Sequence, residues 1–184
     1  MTAPDPDLQV AEGARTGFPT EAFADVIEAN AEYAASFREL GLGGRAAKGL
    51  AIITCMDSRI DPLRIVGMAP GDVKILRNAG ARVTDDVLRT LVLATYLLDV
   101  TRVLVVPHTR CKMVGTAEEE IHAMIADTYG VDTYSMEFRT VEDEVAALLR
   151  DLRRIRSFPL LPRGLAVGGA VYDVDTGALV PIEG

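Results

Sequence analysis

The amino-acid sequence predicts an α/β protein with a mostly parallel sheet. Short continuous apolar segments, typical of strands buried on both faces, alternate along the chain with longer segments of helical periodicity. This alternation is the pattern of strand–helix–strand units, which build parallel sheets. The sequence contains no linker, internal repeat or low-complexity tract, so we expect a single domain over residues 1–184.

The first forty residues predict an arm followed by a helix. Residues 1–19 are polar and rich in proline, glycine and aspartate, as expected of a flexible arm. A helix is predicted over residues 20–40, and the glycine-rich residues 41–45 end it. Its apolar stripe consists of Phe23, Val26, Ile27, Ala31, Tyr33, Ala34 and Phe37.

An α/β core is expected over residues 49–180, and it opens with two strands and a helix. Apolar segments at 49–54 and 73–76 predict the two strands. The helix is predicted over residues 84–98, with Thr84 as its N-cap and two aspartates in its first turn, where negative charge suits the helix dipole. Because this helix is apolar on most sides, we expect it to be buried.

The second half of the core contains the remaining elements. A third strand is predicted over residues 102–107, and a capping box of Thr116 and Glu119 predicts a helix over 116–129. A fourth strand is predicted over residues 164–172, and an Asp-Thr-Gly turn then leads into a short extra C-terminal strand. Between the helix and the fourth strand, another helical face is formed by Val141, Val145, Leu148, Leu149, Leu152 and Ile155.

Composition excludes several kinds of partner. The chain carries 19 Lys and Arg against 27 Asp and Glu, a net charge of −8, and its pI is near 4.8. Without a basic stretch to offset this charge, we expect neither nucleic acid nor a membrane as partner. The apolar segment 90–98 is too short to span a bilayer, and residues 1–15 lack a signal-peptide pattern. Two cysteines make no disulfide framework, so a cytoplasmic location is expected.

Chemically active side chains follow three of the predicted strands. The first strand leads into Cys55-Met-Asp-Ser-Arg, the second into Arg77-Asn-Ala-Gly, and the third into His108-Thr-Arg-Cys. In open α/β sheets, ligands bind beyond the carboxyl ends of the strands. Both cysteines and one of the two histidines therefore lie where a site is expected.

The residue types at these strand ends favour a zinc site. Cysteine thiolate and neutral imidazole are ligands that zinc prefers, and a catalytic zinc keeps three protein ligands and one open position. His108 and Cys111 can reach one metal from a tight turn, and Cys55 completes the set if the first and third strands are neighbours. Taken alone, however, a cysteine that ends a buried strand is most often a core residue.

Asp57 and Arg59 are the candidate catalytic residues. Two apart in an extended segment, they point the same way, and an aspartate beside an arginine stays ionised. Such a carboxylate can accept a hydrogen bond from zinc-bound hydroxide or bind the zinc itself, although an Asp–Arg pair is more often a surface ion pair. The second histidine, His122, lies in a predicted helix and is expected at the surface.

Together, the three motifs resemble those of the β-class carbonic anhydrases, and the compact bacterial and archaeal branch in particular. Their order and spacing match over roughly residues 20–175. The resemblance implies one Zn²⁺ per subunit, held by Cys55, His108 and Cys111, and reversible hydration of CO₂ to bicarbonate and a proton by zinc-hydroxide attack. It also implies that Arg59 pairs with Asp57 and draws it off the metal.

The same resemblance implies an architecture and an assembly. The core is expected to be a four-stranded parallel sheet flanked by helices, in a homodimer whose N-terminal helix, 20–40, packs on the partner subunit. This interface would account for the 49% apolar content and the mean hydropathy of +0.19, and a tetramer of two dimers is left open. We expect the substrate to contact Asn78 and Gly80, whose N–H would stabilise charge developing on the substrate oxygen.

Two residues depart from the family pattern and leave alternatives open. Lys112 stands where the family usually has glycine, and Pro107 where it more often has a small residue. Both favour an alternative in which the protein binds zinc but is catalytically impaired and has a regulatory role. Further alternatives are a hydrolase of CS₂ or COS on the same scaffold, and a thiol–disulfide sensor that uses Cys55 and Cys111.

Overall fold

The computed structural model describes residues 17–38 and 41–184, and these divide into two compact units, one that ends at Leu42 and one over Gly43–Gly184. In the first unit a 3₁₀ turn, Thr20–Phe23, leads into α1, Ala24–Ser36. The helix ends earlier than predicted because Phe37 takes an extended backbone, with φ −61° and ψ 132°. Its apolar stripe is exposed. Residues 1–16 of the predicted arm, and positions 39 and 40, lie outside the described residues.

A five-stranded sheet forms the centre of the second unit. Its strands are β1 (Leu50–Cys55), β2 (Val73–Asn78), β3 (Arg102–Val106), β4 (Ala166–Tyr172) and β5 (Leu179–Ile182), in the spatial order β2-β1-β3-β4-β5. The first four are parallel to their neighbours, and β5 pairs antiparallel with β4. The predicted four-stranded parallel core with a short extra C-terminal strand is confirmed.

The register of the sheet brings three strand ends to one edge. All six residues of β1 are buried. Cys55 lies opposite Asn78 of β2, and Thr54 lies opposite Val106 of β3. The buried Thr54 hydroxyl donates to the Val106 carbonyl oxygen at 2.8 Å, which satisfies it. Because these parallel strands end at the same level, the segments that follow them meet.

The second unit also contains three helices, α2 (Asp85–Leu97), α3 (Glu118–Tyr129) and α4 (Glu144–Ser157). The predicted N-cap of α2 is confirmed, since the Thr84 side chain accepts the Val87 N–H at 3.3 Å. Among the described residues, none of the helices combines the length and apolar character that a membrane span requires.

The start of α3 differs from the sequence prediction. The helix begins at Glu118 with Ala117 as N-cap, and no side chain caps it, so the capping box of Thr116 and Glu119 is wrong. The reason is a tertiary contact: the Glu118 carboxylate accepts the backbone N–H groups of Phe138 and Arg139. This contact ties the first turn of α3 to the segment before α4.

The main hydrophobic core packs α2 and α4 against one face of the sheet. Its most buried members include Ile53 of β1, Leu91 of α2 and Leu152 of α4. Gly169 of β4 allows the close approach of α4, because a Cβ there would lie 2.9 Å from a Leu152 methyl carbon. This packing makes the sheet a rigid platform for the loops at its carboxyl edge.

Candidate metal centre

The three predicted ligands come together at the carboxyl edge of the sheet. Cys55 is the last residue of β1, while His108 and Cys111 lie in the turn that follows β3. Because β1 and β3 are neighbours, one possible ligand atom from each residue lies within 4.8 Å of the others, and all three residues are buried. The condition on which the predicted site depended, adjacency of the first and third strands, is confirmed.

The imidazole of His108 has one nitrogen free to bind a metal. Its Nδ1 lies 2.8 Å from the carbonyl oxygen of Thr109, which can only accept, so Nδ1 carries the proton. Nε2 therefore carries the lone pair, and it is buried with no hydrogen-bond partner among the described residues. A buried, unpaired acceptor is costly unless something binds it. A metal ion between Nε2 and the sulfurs would meet that need.

The sulfur atoms also fit a zinc ion. Cys55 Sγ and Cys111 Sγ are 4.0 Å apart, and both cysteines are free. A tetrahedral zinc with Zn–S bonds of ~2.3 Å sets two sulfurs roughly 3.8 Å apart. Two thiolates and one imidazole are a donor set that zinc prefers over the harder cations. The residues present therefore fit zinc.

The two cysteine side chains influence each other's ionisation. The hydrogen bond from Cys111 lowers the pKa of Cys55 to about 3, against the opposing effect of burial, and the Gly80 N–H contributes in the same direction. The same interaction, together with burial, raises the pKa of Cys111. Ionisation of Cys55 is therefore favoured over that of Cys111, and a bound cation would displace the thiol protons that remain.

Asp57 and Arg59 form a forked ion pair beside the ligands. Arg59 Nε donates to Asp57 Oδ1 at 2.9 Å and Nη2 donates to Oδ2 at 2.7 Å, while the Arg59 backbone N–H donates to Oδ1. These hydrogen bonds hold the pKa of the Asp57 carboxyl well below its usual range. Asp57 Oδ2 also lies 3.7 Å from Nε2 of His108. The carboxylate thus stays ionised within reach of the metal position.

Arg77 is a site residue that the sequence reasoning left without a role. Its Nε donates to the carbonyl oxygen of Cys55 at 2.9 Å, and its Nη2 donates to that of Asp57 at 2.7 Å. Arg77 thereby fixes the backbone that carries the first ligand and the carboxylate. The signal available in the sequence was an arginine directly after the second predicted strand.

Asn78 and Gly80 are occupied by contacts within the protein. The Asn78 side chain accepts the Arg82 N–H at 2.8 Å and donates to the Arg82 carbonyl oxygen at 2.7 Å. The Gly80 N–H donates to Cys55 Sγ at 3.4 Å. Gly80 has a φ of +75°, and a Cβ on it would lie 3.1 Å from Cβ of Met113. These contacts support a structural role, and contact with substrate stays a prediction.

The site opens into a surface cleft of about 650 Å³. Its lining includes Cys55, Asp57, Arg59 and Lys112. Lys112 is exposed and lacks the left-handed backbone that would demand glycine; Arg110 has that conformation instead, with φ +58°. Pro107, the other departure, is buried, and its carbonyl oxygen accepts the Tyr172 N–H at 2.9 Å. Neither residue blocks the ligand cluster.

His122 is not at the surface, so that expectation is wrong. It is 5% exposed, its Nδ1 lies 2.8 Å from the Thr133 hydroxyl, and its ring packs on Tyr134 and Phe138. The segment after α3 folds back over the helix and covers the ring. His122 is outside the metal-binding cluster.

Fold and site together define a class of protein. A buried Cys-His-Cys cluster at the carboxyl edge of a parallel sheet, with an ionised carboxylate beside it, is the arrangement of a metalloenzyme that activates water. The family model described as carbonic anhydrase matches residues 50–179. The chain belongs to this family, in its β class, as the sequence motifs predicted.

Individual relatives agree with this assignment. Beta-carbonic anhydrase 1 of Mycobacterium tuberculosis is 35% identical over 156 residues, covering 84% of this chain and 94% of the relative. A crystal structure of carbonic anhydrase from Streptococcus mutans has a TM-score of 0.82 and 34% identity, covering 88% of this chain and 97% of that one. A carbon disulfide hydrolase of Acidianus sp. is 30% identical over 156 residues, covering 71% of this chain and 75% of the relative.

Proposed function

We propose that the protein is a zinc-dependent carbonic anhydrase, an enzyme that catalyses the reversible hydration of CO₂ to bicarbonate and a proton. The observation that carries the proposal is the unpaired Nε2 of His108, buried with two cysteine sulfurs and 3.7 Å from an ionised carboxylate. Family membership gives the same reaction.

Cys55, His108 and Cys111 are the proposed zinc ligands, one ion per chain. Zinc bound there would lower the pKa of water to about 7 and so supply a nucleophile near neutral pH. The Thr109 carbonyl keeps the His108 proton on Nδ1, and the Gly80 N–H stabilises negative charge on Cys55. Both contacts hold the ligands in the protonation states that binding requires.

Asp57 and Arg59 are the proposed catalytic residues. A carboxylate that stays ionised is an acceptor only, so Asp57 can take a hydrogen bond from the attacking water and orient its oxygen toward the carbon of CO₂. Arg59 donates to both carboxylate oxygens and so engages Asp57 in an ion pair beside the ligand set. A bound metal would then keep one ligand position for water.

The substrate itself needs few polar contacts. CO₂ is small and nearly apolar, and apolar side chains of Ile60, Met113 and Val114 pack around the two cysteines. Asn78 and Gly80 remain proposed substrate contacts. Their hydrogen bonds to Arg82 and Cys55 fix the shape of the turn, and this supports a role in shaping the substrate site.

A hydrolase of CS₂ or COS is the second candidate function. The carbon disulfide hydrolase of Acidianus sp. is 30% identical to this chain, and the proposed ligands would serve that reaction equally well. Its substrate is also a linear molecule with an electrophilic carbon. Discrimination between the two reactions therefore rests on the shape of the approach to the metal and not on the ligands.

Two measurements on one preparation test the proposal. Elemental analysis is expected to find one zinc per chain, and stopped-flow assays are expected to show a higher kcat/KM for CO₂ than for COS or CS₂. A higher kcat/KM for CS₂ would assign the second candidate function instead. Zinc without turnover of any of the three would refute an enzymatic role, and absence of zinc would refute the metal centre.

The assembly and location are also proposed. We infer a homodimer, with a tetramer as its extension, because α1 exposes Val26, Ile27 and Tyr33 in a chain whose mean hydropathy is +0.19. Light scattering is expected to give twice or four times the chain mass, and Ile27→Asp is expected to lower it. A cytoplasmic location rests on the two reduced cysteines and is testable by cell fractionation.

A further inference from the structure

The turn that follows β2 is held in an unfavourable conformation. Ala79–Ala81 form one 3₁₀ turn in which Gly80 has φ +75° and Ala81 has φ +56°. Alanine rarely adopts this left-handed region because its Cβ meets the backbone, and such a residue persists only where surrounding contacts impose it. The turn also delivers the Gly80 N–H to Cys55 Sγ, so its shape bears on a proposed metal ligand.

Arg82 supplies the contacts that impose this shape. Its backbone N–H and carbonyl oxygen are both held by the Asn78 side chain, which closes the turn from the strand side. Its guanidinium donates from Nε to Asp151 Oδ2 at 2.7 Å, from Nη2 to Oδ1 at 3.3 Å, and from Nη1 to the Arg139 carbonyl oxygen at 3.0 Å. The Arg82 side chain thus anchors the turn to α4 and to the segment that precedes it.

Among the residues that the structure describes, the Asp151 carboxylate accepts hydrogen bonds only from Arg82 and Val83, which directly follow the turn. Besides the fork with Arg82, its Oδ2 accepts the Val83 N–H at 3.2 Å. The residue is 5% exposed and lies on the core face of α4 between Leu148 and Leu152. A buried ion pair is often no more stabilising than apolar side chains of the same size, so packing alone does not call for a charge here.

We propose that Asp151 is a positioning residue of the metal centre, which through Arg82 and Asn78 holds the Gly80 N–H on the sulfur of Cys55. This inference rests on the proposed zinc site and extends it to a residue on a different element, 96 positions away in sequence from Cys55. Asp151 acts on the metal only through the turn. Its removal should therefore loosen the Cys55 thiolate without removing any ligand.

The test compares the zinc-loaded and cobalt-substituted forms of the wild-type chain and of Asp151→Asn. Zinc affinity is measured by competition with a chelator, and the cobalt–thiolate charge-transfer band reports on the sulfur directly. Loss of a contact that orients a ligand typically costs 10–100-fold in metal affinity. We expect about a tenfold loss in Asp151→Asn, with a shifted charge-transfer band.

Leu152→Ala is the matched control, since Leu152 is a buried residue of the same helix that packs beside Gly169 of β4. It is expected to lower stability to unfolding but to leave zinc affinity within about twofold and the cobalt band unchanged. Arg82→Lys keeps the charge but loses the fork, so it should lose about threefold in affinity. If Asp151→Asn does not fold, Arg82→Lys tests whether the link between α4 and the turn affects zinc binding.

If Asp151→Asn or Arg82→Lys matched Leu152→Ala in zinc affinity and in the cobalt spectrum, this inference would be overturned and the proposed function would stand. A wild-type chain that binds no zinc would overturn the proposed function together with it.

Discussion

Nε2 of His108 lies 3.7 Å from Oδ2 of Asp57, where the candidate metal ligands meet the Asp57–Arg59 pair. In the neutral imidazole this nitrogen has no proton, and it has no hydrogen-bond partner among the described residues, while Arg59 donates to both oxygens of the carboxylate. Metal binding through Nε2 and hydrogen bonding to the carboxylate can therefore act at one place.

Replacing Asp57 by Asn should separate catalysis from metal binding. The amide keeps the shape of the side chain but loses the charge and one of the two acceptor oxygens, so it orients the attacking water less well. We expect kcat/KM for CO₂ to fall about 100-fold while zinc content stays at one per chain. Ser58→Ala, an exposed neighbour, serves as control and should change neither quantity. Loss of zinc in Asp57→Asn would instead make Asp57 a metal ligand.

The Asp57–Arg59 pair should make stability depend on pH. Because Arg59 lowers the pKa of Asp57 in the folded chain, the pair's contribution is fully present above the unfolded pKa of about 3.9 and is lost as pH falls through the lower folded pKa. In metal-free protein, the difference in unfolding free energy between wild type and Arg59→Ala should be constant from pH 7 to 5. It should shrink below about pH 4.

Urea unfolding at each pH measures that difference. Arg45→Ala is the control, because it removes an ion pair with Asp99 in which both side chains are more than half exposed. Its difference from wild type should stay near zero throughout. A wild-type advantage over Arg59→Ala that persists unchanged to pH 2 would contradict the assigned origin of the Asp57 shift.

Activity is expected to rise with pH from the neutral to the alkaline range. The pKa of Asp57 lies well below this range, so Asp57 stays ionised and cannot produce the rise. The remaining titration is that of the water that zinc activates, and two thiolates offset the metal charge and so work against a low pKa. Stopped-flow kcat/KM values for CO₂ check this, and a profile that is flat from pH 6 to 9 would argue against zinc-activated water as the nucleophile.

Replacing Lys112 by glycine, the usual residue of the family, should change the activity little. Lys112 is exposed and its backbone is outside the left-handed region, so nothing in the turn requires glycine. Zinc content should be unchanged, and kcat/KM should stay within about threefold of wild type, a difference of under 1 kcal/mol. A tenfold or larger gain in kcat/KM would show that the lysine impairs catalysis, as the regulatory alternative requires.

Gly80→Ala should be harmful, in contrast. The φ of +75° is unfavourable for alanine, and its Cβ would lie 3.1 Å from that of Met113. We expect a loss of at least about 1 kcal/mol in unfolding free energy, measured by urea denaturation, and weaker zinc binding. Gly177 has a similar φ of +74° but open space around it, so Gly177→Ala measures the loss in unfolding free energy that is due to the backbone conformation alone. Equal zinc affinity in the two variants would contradict a role for Gly80 at Cys55.

The sheet and the ligand set were predictable because their signals are local. Apolar segments mark strands by what they must bury, and the end of a strand in a parallel sheet marks an edge where ligands bind. The Cys55, His108 and Cys111 cluster needed one further condition, that β1 and β3 be neighbours, and the structure meets it. The Thr84 cap was also predictable, since it depends on residues three apart.

The errors arose where a distant segment decided the outcome. His122 looked like a surface residue because the sequence around it is helical and polar, but Tyr134 and Phe138 cover it. Thr116 and Glu119 match a capping box, yet Glu118 is engaged by residues 138 and 139, and the helix starts at Glu118.

The sequence by itself determined the α/β class, the order of the elements, the residues able to bind zinc and the family, because each depends on composition, periodicity or spacing along the chain. Only the tertiary structure decided which nitrogen of His108 is free, what Asn78 and Gly80 contact, and that Arg82 and Asp151, 69 positions apart, meet in the interior. Such facts depend on the approach of strands and helices that are distant in sequence. Hydrogen bonds form over about 3 Å, a distance that sequence spacing does not specify.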